Sequence, residues 1–185
     1  MQATEILMSE HRVIERVIAA LESAANQLDE GQAVRPGFFL DAAAFIQGFA
    51  DGCHHRKEEG VLFKMLGDHG LPAQGGPVGV MLAEHAQARQ ITAALRSAAQ
   101  NLQAGDASAR PDVAHHARAY AALLRQHILK EDTILFPAAD RVIPAELHAA
   151  VLDGFEQVEH EETGEGVHEK YLALAESLEV EAGLG

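Results

Sequence analysis

At 185 residues the chain is long enough for one well-buried domain and short for two. Its formal net charge of -14 argues against nucleic acid or an anionic membrane as partner, because both call for a basic surface. The single cysteine, Cys53, excludes an intrachain disulfide, and charged residues interrupt every apolar run near the N-terminus, so a cytoplasmic protein without secretory signal or membrane span is expected.

Ala and Leu dominate the runs between Gly and Pro, aromatics are few and Trp is absent, which is a helical composition. From Ala3 to about Asp29, residues Leu7, His11, Ile14, Ile18, Leu21, Ala25 and Leu28 recur at steps of four and three, one buried helical stripe. His11 stands where that stripe calls for an apolar residue. Gly31 and Pro36 punctuate the first connection, and a second helix is predicted from Pro36 to about Leu66. Ala43, Ile46, Ala50, Glu58, Val61, Leu62 and Met65 lie around its His54 face, while Phe38, Phe45 and Phe49 sit elsewhere on the circumference. That helix is therefore predicted to be buried on two sides.

Residues 67–77 read as a loop by their Gly and Pro content. A third helix follows, with Val78, Met81, His85, Ala88, Thr92, Leu95, Ala99 and Leu102 on one stripe. After a turn from Gly105 to Pro111, a fourth carries Val113, His116, Tyr120, Leu123, His127, Glu131, Ile134 and Ala138, and Pro137 and Pro144 are predicted to close it. Beyond Pro144 a weaker helix bearing Leu147, Val151, Leu152, Phe155 and Val158 is broken at Gly164-Glu165-Gly166, before a last amphipathic segment from Val167 to Leu178. This extension, residues 144–185, is expected to cover the second helix or an open side of the bundle.

The chain repeats itself. Laying Leu62-Phe63 over Leu135-Phe136 puts His54 on His127 and Glu58 on Glu131, and Glu10-His11 then matches Glu84-His85. The two histidines of each half are 43 and 42 residues apart. Two helix-turn-helix units, 3–66 and 78–138, thus predict an all-α, up-down-up-down four-helix bundle over residues 1–140. A rise of about 1.5 Å per residue brings His11, His54, Glu58, His85, His127 and Glu131 to a common level.

A lone histidine on an apolar stripe is best read as a satisfied core residue, but six such groups in one layer favour a metal. Imidazole and carboxylate together suit iron, manganese or zinc. Four imidazoles shared between two metals, two bridging carboxylates and an oxide or hydroxide bridge leave about one open position per metal, which suits a closed tetrahedral zinc site poorly. His55 and Glu59 have the same spacing as His54 and Glu58, yet the repeat aligns them with Ile128 and Asp132, so they are assigned a place behind the ligands or at the surface. His69, His115, His148, His160 and His168 read as solvated, Cys53 as a small buried hydrophobe and the acidic run from Glu156 to Glu165 as a solvated face.

Glu10-His11, His54-His55-Arg56-Lys57-Glu58-Glu59 with Leu62-Phe63, Glu84-His85, and His127 to Glu131 with Leu135-Phe136-Pro137 resemble the hemerythrin-like proteins, in their HHE cation-binding domains. The resemblance covers about residues 3 to 138. It implies a bundle holding a non-haem di-iron centre, oxo- or hydroxo-bridged, with His11, His54, Glu58, His85, His127 and Glu131 as ligands. It also implies a small diatomic or peroxide ligand (oxygen, nitric oxide or peroxide) to be bound, sensed or reduced. The oxygen-carrying members have a fifth histidine on the third helix, where this chain has Met81 and Arg89 around His85; Glu159, Glu162, His116 and Tyr120 are the candidates for a further ligand or supporting partner. An iron store or donor without turnover, or a bundle with a purely structural metal, are the alternative functions.

Overall fold

The computed structural model describes residues 2–160, 164 and 166–185. Helix α1 is Ala3–Asp29. Its N-terminus is closed by Glu5, whose carboxylate accepts the Gln2 backbone N–H at 2.8 Å, and its C-terminus runs into Gly31 at φ 76°. The predicted stripe from Leu7 to Leu28, His11 included, is buried.

Helix α2 spans 36–68 without interruption but changes its winding: α-helical at Pro36–Phe45, π-helical at Ile46–His55 and again at Glu58–Leu62, then α-helical at Phe63–Asp68. Helix α3 is Gly76–Gln103, and α4 spans 110–142 through Arg110–Lys130, a π turn at Glu131–Leu135 and Phe136–Val142. Pro137 does not close α4. It follows the π turn, where the hydrogen-bond register is already shifting, so its missing N–H does not end the helix, and Pro144 lies beyond the end at Val142. Helices α5, His148–Val158, and α6, Val167–Glu181, form the C-terminal part; no strand occurs among the described residues. Glu162 and Glu165, singled out from the sequence, lie outside the described residues.

The result is a helical bundle. Helix α1 packs on α4, α4 on α3, and α3 on the first part of α2; α6 lies against α1 and α2, and α5 against α1 and the Glu58–Leu62 turn. Both faces of α2 are used, since Phe38, Phe39, Phe45 and Phe49 are buried along with His54 and Glu58. Tyr171 of α6 lies over Gly48, so closely that a Cβ there would stand 1.7 Å from the Tyr171 hydroxyl oxygen. Arg16 pairs with Glu179 at 2.6 Å, and the Ser23 hydroxyl donates to the Ala182 carbonyl at 2.8 Å, fixing the end of α6.

Two apolar clusters form the interior. One includes Ile14, Ile18, Leu21, Phe45, Phe49, Leu95, Leu124 and Ile128, and the other Leu7, Leu62, Leu66, Met81, Leu135, Phe136 and Phe155. Each such large side chain contributes roughly 1.5–3 kcal/mol by leaving water. On α1–α3 Glu10, His11, His54, His55, Glu58 and His85 come between the residues of one cluster and those of the other, and on α4 Glu131 does, with His127 beside Ile128 at the border of the first. A polar layer is thereby closed off from both ends.

Candidate metal centre

The layer holds seven side chains. His11, His54, His55, Glu58, His85, His127 and Glu131 are all at most 2% exposed. His11, His54, Glu58 and Glu131 bring one donor atom each within 4.8 Å of one another, and so do His55, Glu58, His85 and His127. Glu58 belongs to both groups. Glu131 also spans them, with one carboxylate oxygen 3.2 Å from His11 Nε2 and 3.2 Å from His127 Nε2. Glu58 lies 3.6 Å from His54 Nε2 through one oxygen and 3.4 Å from His85 Nε2 through the other.

The six residues selected from the repeat are thus brought together, and a seventh joins them. His55 is not behind the cluster or at the surface. Its ring stacks on that of His85 at 3.8 Å between centroids, and its Nε2 is buried without a hydrogen-bond partner. On an α-helix, adjacent residues point about 100° apart, too far for His54 and His55 both to face one layer squarely. The π segment Ile46–His55 has a wider turn, closing i to i+5, so successive side chains diverge less and His54 and His55 both reach inward. Gly52 permits this winding: a Cβ there would lie 2.9 Å from the Gln47 carbonyl oxygen, five residues back. In the sequence the doubled histidine is the visible signal of this, and its alignment with Ile128 hides it.

Each imidazole is held from behind at Nδ1. His11 meets Asp132 at 2.7 Å, His54 meets Glu10 at 2.9 Å, His85 meets Glu59 at 2.7 Å, His127 meets Glu84 at 2.9 Å and His55 approaches Asp51 at 3.4 Å. Every one of these carboxylates is tied to a cation: Asp132 to Arg12, Glu10 to Lys57, Glu84 to Lys130, and both Glu59 and Asp51 to Arg89 at 2.7 Å. The repeat extends to this supporting layer. Glu10 and Glu84 each brace the second histidine of their own half, whereas Glu59 and Asp132 brace the first histidine of the other half. An ionised carboxylate only accepts, so Nδ1 carries the proton and Nε2 turns a lone pair inward.

The charge balance inside is unfavourable for the protein alone. Burial opposes ionisation of Glu131, but His127 and His11 outweigh it and hold the group well below the usual carboxylate range. Burial and the neighbouring charge of Glu131 push Glu58 far up. His54 is pushed down to about 4 and His55 well below its ordinary value, both by burial first. For His11 and His127 burial also disfavours the charged form, yet Asp132 and Glu131 on one, and Glu131 on the other, raise them. Nε2 of His11, His54 and His55 and both oxygens of Glu58 and Glu131 lack hydrogen-bond partners, while Nε2 of His85 faces Nε2 of His127 at 3.1 Å. Unmatched buried acceptors converging in one layer are what a cation relieves, so the residues fit a metal.

The remaining candidates stand outside the layer. Tyr120 is buried about two turns before His127 on α4, and His116 is half-buried against His115. Glu159 binds the Lys57 ammonium behind Glu10. His115 and His160 are exposed, and His69 and His148 are half-buried. His168, half-buried, joins Glu10, Cys53 and Glu159 in a further group, but there Lys57 already pairs with Glu10 and Glu159. Cys53 is buried, and burial raises its thiol to about 11, an inert small side chain as expected.

The family model of the hemerythrin HHE cation-binding domain matches residues 2–139, which takes in all seven residues of the layer and stops short of α5 and α6. An uncharacterized protein of Mycobacterium bovis and two of Mycobacterium tuberculosis are each 26% identical over 182 residues, covering 98% of this chain and 71% of theirs. The likeness to them therefore runs through the C-terminal helices as well. No solved structure matches the chain. With a matching model over three-quarters of its length and the donor cluster inside that span, the chain belongs to the hemerythrin HHE cation-binding domain family and is a metal-binding protein.

Proposed function

We propose that this protein is a cytoplasmic non-haem di-iron protein that binds, senses or reduces a small oxidant: oxygen, peroxide or nitric oxide. The observation that carries the reading is the inward-turned donor set, five imidazole nitrogens and two carboxylates that share Glu58 between two groups. His11 and His54 would hold one ion and His55, His85 and His127 the other, with Glu58 and Glu131 common to both. Nitrogen and carboxylate oxygen without thiolate suit iron, and the count leaves the two ions unequal: two imidazoles on one and three on the other. Bound there, the metals would supply a coordination position for the ligand and electrons for its reduction. The fold reading that goes with this is an up-down-up-down four-helix bundle of α1–α4.

The protein's own residues keep the layer dry, fix each ring and hold the protons on Nδ1. The two apolar clusters exclude water on either side, and the outer ion pairs resist the tilting of any imidazole. We read nucleic acid and membrane as excluded partners from the charge of -14, and no helix among the described residues is long and apolar enough to cross a membrane. The test is metal analysis of protein purified from iron-supplied cells, with oxidised and reduced spectra. Two irons per chain and a near-ultraviolet band that changes on reduction are expected. One zinc per chain and a featureless spectrum would leave a purely structural metal, and iron delivered to an apo-protein without oxidant consumption would leave a store or donor.

A further inference from the structure

Laying one half of the chain over the other leaves Asp51, His55 and Arg89 without chemical counterparts: they fall on Leu124, Ile128 and Glu15. The three meet in the structure. On α2, Asp51, His55 and Glu59 follow one another at steps of four, on α3 Arg89 follows His85 at the same step, and hydrogen bonds join the two rows. Arg89 is the joint. Its Nε donates to Asp51 Oδ1 at 2.7 Å and its Nη2 to Glu59 Oε1 at 2.7 Å. Those same two oxygens face the rings, Asp51 Oδ1 at 3.4 Å from His55 Nδ1 and Glu59 Oε1 at 2.7 Å from His85 Nδ1.

One planar guanidinium thus holds the carboxylates behind two imidazoles, in a fork whose nitrogens cannot move independently. The two rings are themselves stacked, 3.8 Å between centroids. Arg12, Lys57 and Lys130, by contrast, each stand behind one ring, through Asp132, Glu10 and Glu84. His55 also lines a cavity of about 270 Å³ beside Tyr120, so packing alone leaves that ring space on one side. Asp51 and Glu59 are 30% and 26% exposed, and water is open to both once the guanidinium is gone. An ion pair this accessible ties two helices together only weakly, so the weight of Arg89 lies in where it holds the two carboxylates. We propose that Arg89 is the positioning residue of the three-imidazole group: acting through Asp51 and Glu59, it sets His55 and His85 as one unit, and with them the affinity of one ion of the pair alone. The claim about the ion rests on the di-iron reading above, whereas the setting of the rings stands on the protein by itself.

The experiment compares the full chain with Arg89→Met, first without metal, by nitrogen NMR of the histidine rings at a pH above the ordinary imidazole value of about 6.5. His55 and His85 are expected to leave the Nδ1–H form together for a mixture of neutral tautomers, while His11 and His54 keep theirs. Unmoved rings would overturn the proposal, and so would equal changes at His11 and His54, which mark a general loosening. In a chain already carrying Asp51→Asn and Glu59→Gln, Arg89→Met is expected to change nothing more; an additive shift would overturn action through those carboxylates. Anaerobic ferrous titration then reads the ion. One binding step is expected to stay as it is and the other to weaken ten- to a hundredfold, roughly the scale of losing a group behind a ligand. Equal weakening of both steps would overturn the selective effect. If the unaltered chain takes up no second ferrous ion, the di-iron reading fails, while the ring signals of the metal-free protein still decide the role of Arg89.

Discussion

Of the five imidazoles, His55 is the one without a counterpart in the repeat, and its loss has a defined consequence. In His55→Ile, which copies Ile128, the group of His55, His85 and His127 falls to two nitrogens while that of His11 and His54 is intact. Metal titration is expected to show one ion bound as before and the second weakened ten- to a hundredfold, roughly the scale of losing a group that fixes a site; equal weakening of both would refute the unequal pair. His54 makes a prediction in pH. Its folded value of about 4 lies below its ordinary 6.5, so between those limits the unfolded chain binds the proton and the folded chain does not. Its contribution to metal-free stability is thus whole above pH 6.5 and is lost as pH falls toward 4, by about 3 kcal/mol in all. Thermal unfolding of metal-free His54→Gln is expected to show a flatter acid limb; an unchanged limb would mean that another group carries it.

At the scale of helices, the periodicity of 3.6 residues places His11, His85 and His127 as inward-facing, because the α-helical parts of α1, α3 and α4 obey it, and the repeat places His54 with them. Aligning the two halves sets His55 against Ile128 and so off the ligand layer, because a difference in winding is not written in a repeat. The π turns at Glu58–Leu62 and Glu131–Leu135 begin at equivalent glutamates, whereas Ile46–His55 has no partner in the second half. Two glycines mark that segment. Gly48→Ala places a methyl group into Tyr171, and a cost of about 1–3 kcal/mol is expected in denaturant unfolding, as for other overpacked sites. Pairing it with Tyr171→Ala should recover part of that loss, since the obstructing ring is gone; strict additivity of the two would show that they do not meet.

For the molecule as a whole, the C-terminal helices are wired to the centre rather than merely laid over it. Lys57 is 0% exposed and its ammonium lies between Glu10, which braces His54, and Glu159 at the end of α5. The corresponding Lys130 is 35% exposed and needs no second carboxylate. Lys57→Met leaves Glu10 buried without its cation and should destabilise the protein by about 3–5 kcal/mol, a value read from chemical denaturation. Lys130→Met, at the exposed position, should cost under about 1 kcal/mol; equal effects would refute the difference in burial as the cause. Neither the partner of Lys57 nor the cavity beside Tyr120 could be read along the chain, since both join residues from separate helices.

The amino-acid sequence by itself determined the helices, the doubled unit and the common level of six donors, because local periodicity and equal spacing from two turns are properties of a single chain read in order. Tertiary structure alone decided that His55 turns inward, that the other four imidazoles are each gripped by a carboxylate from a neighbouring helix, and that Glu159 closes over Lys57. Those outcomes depend on the winding of α2 and on which helices touch, and packing sets both.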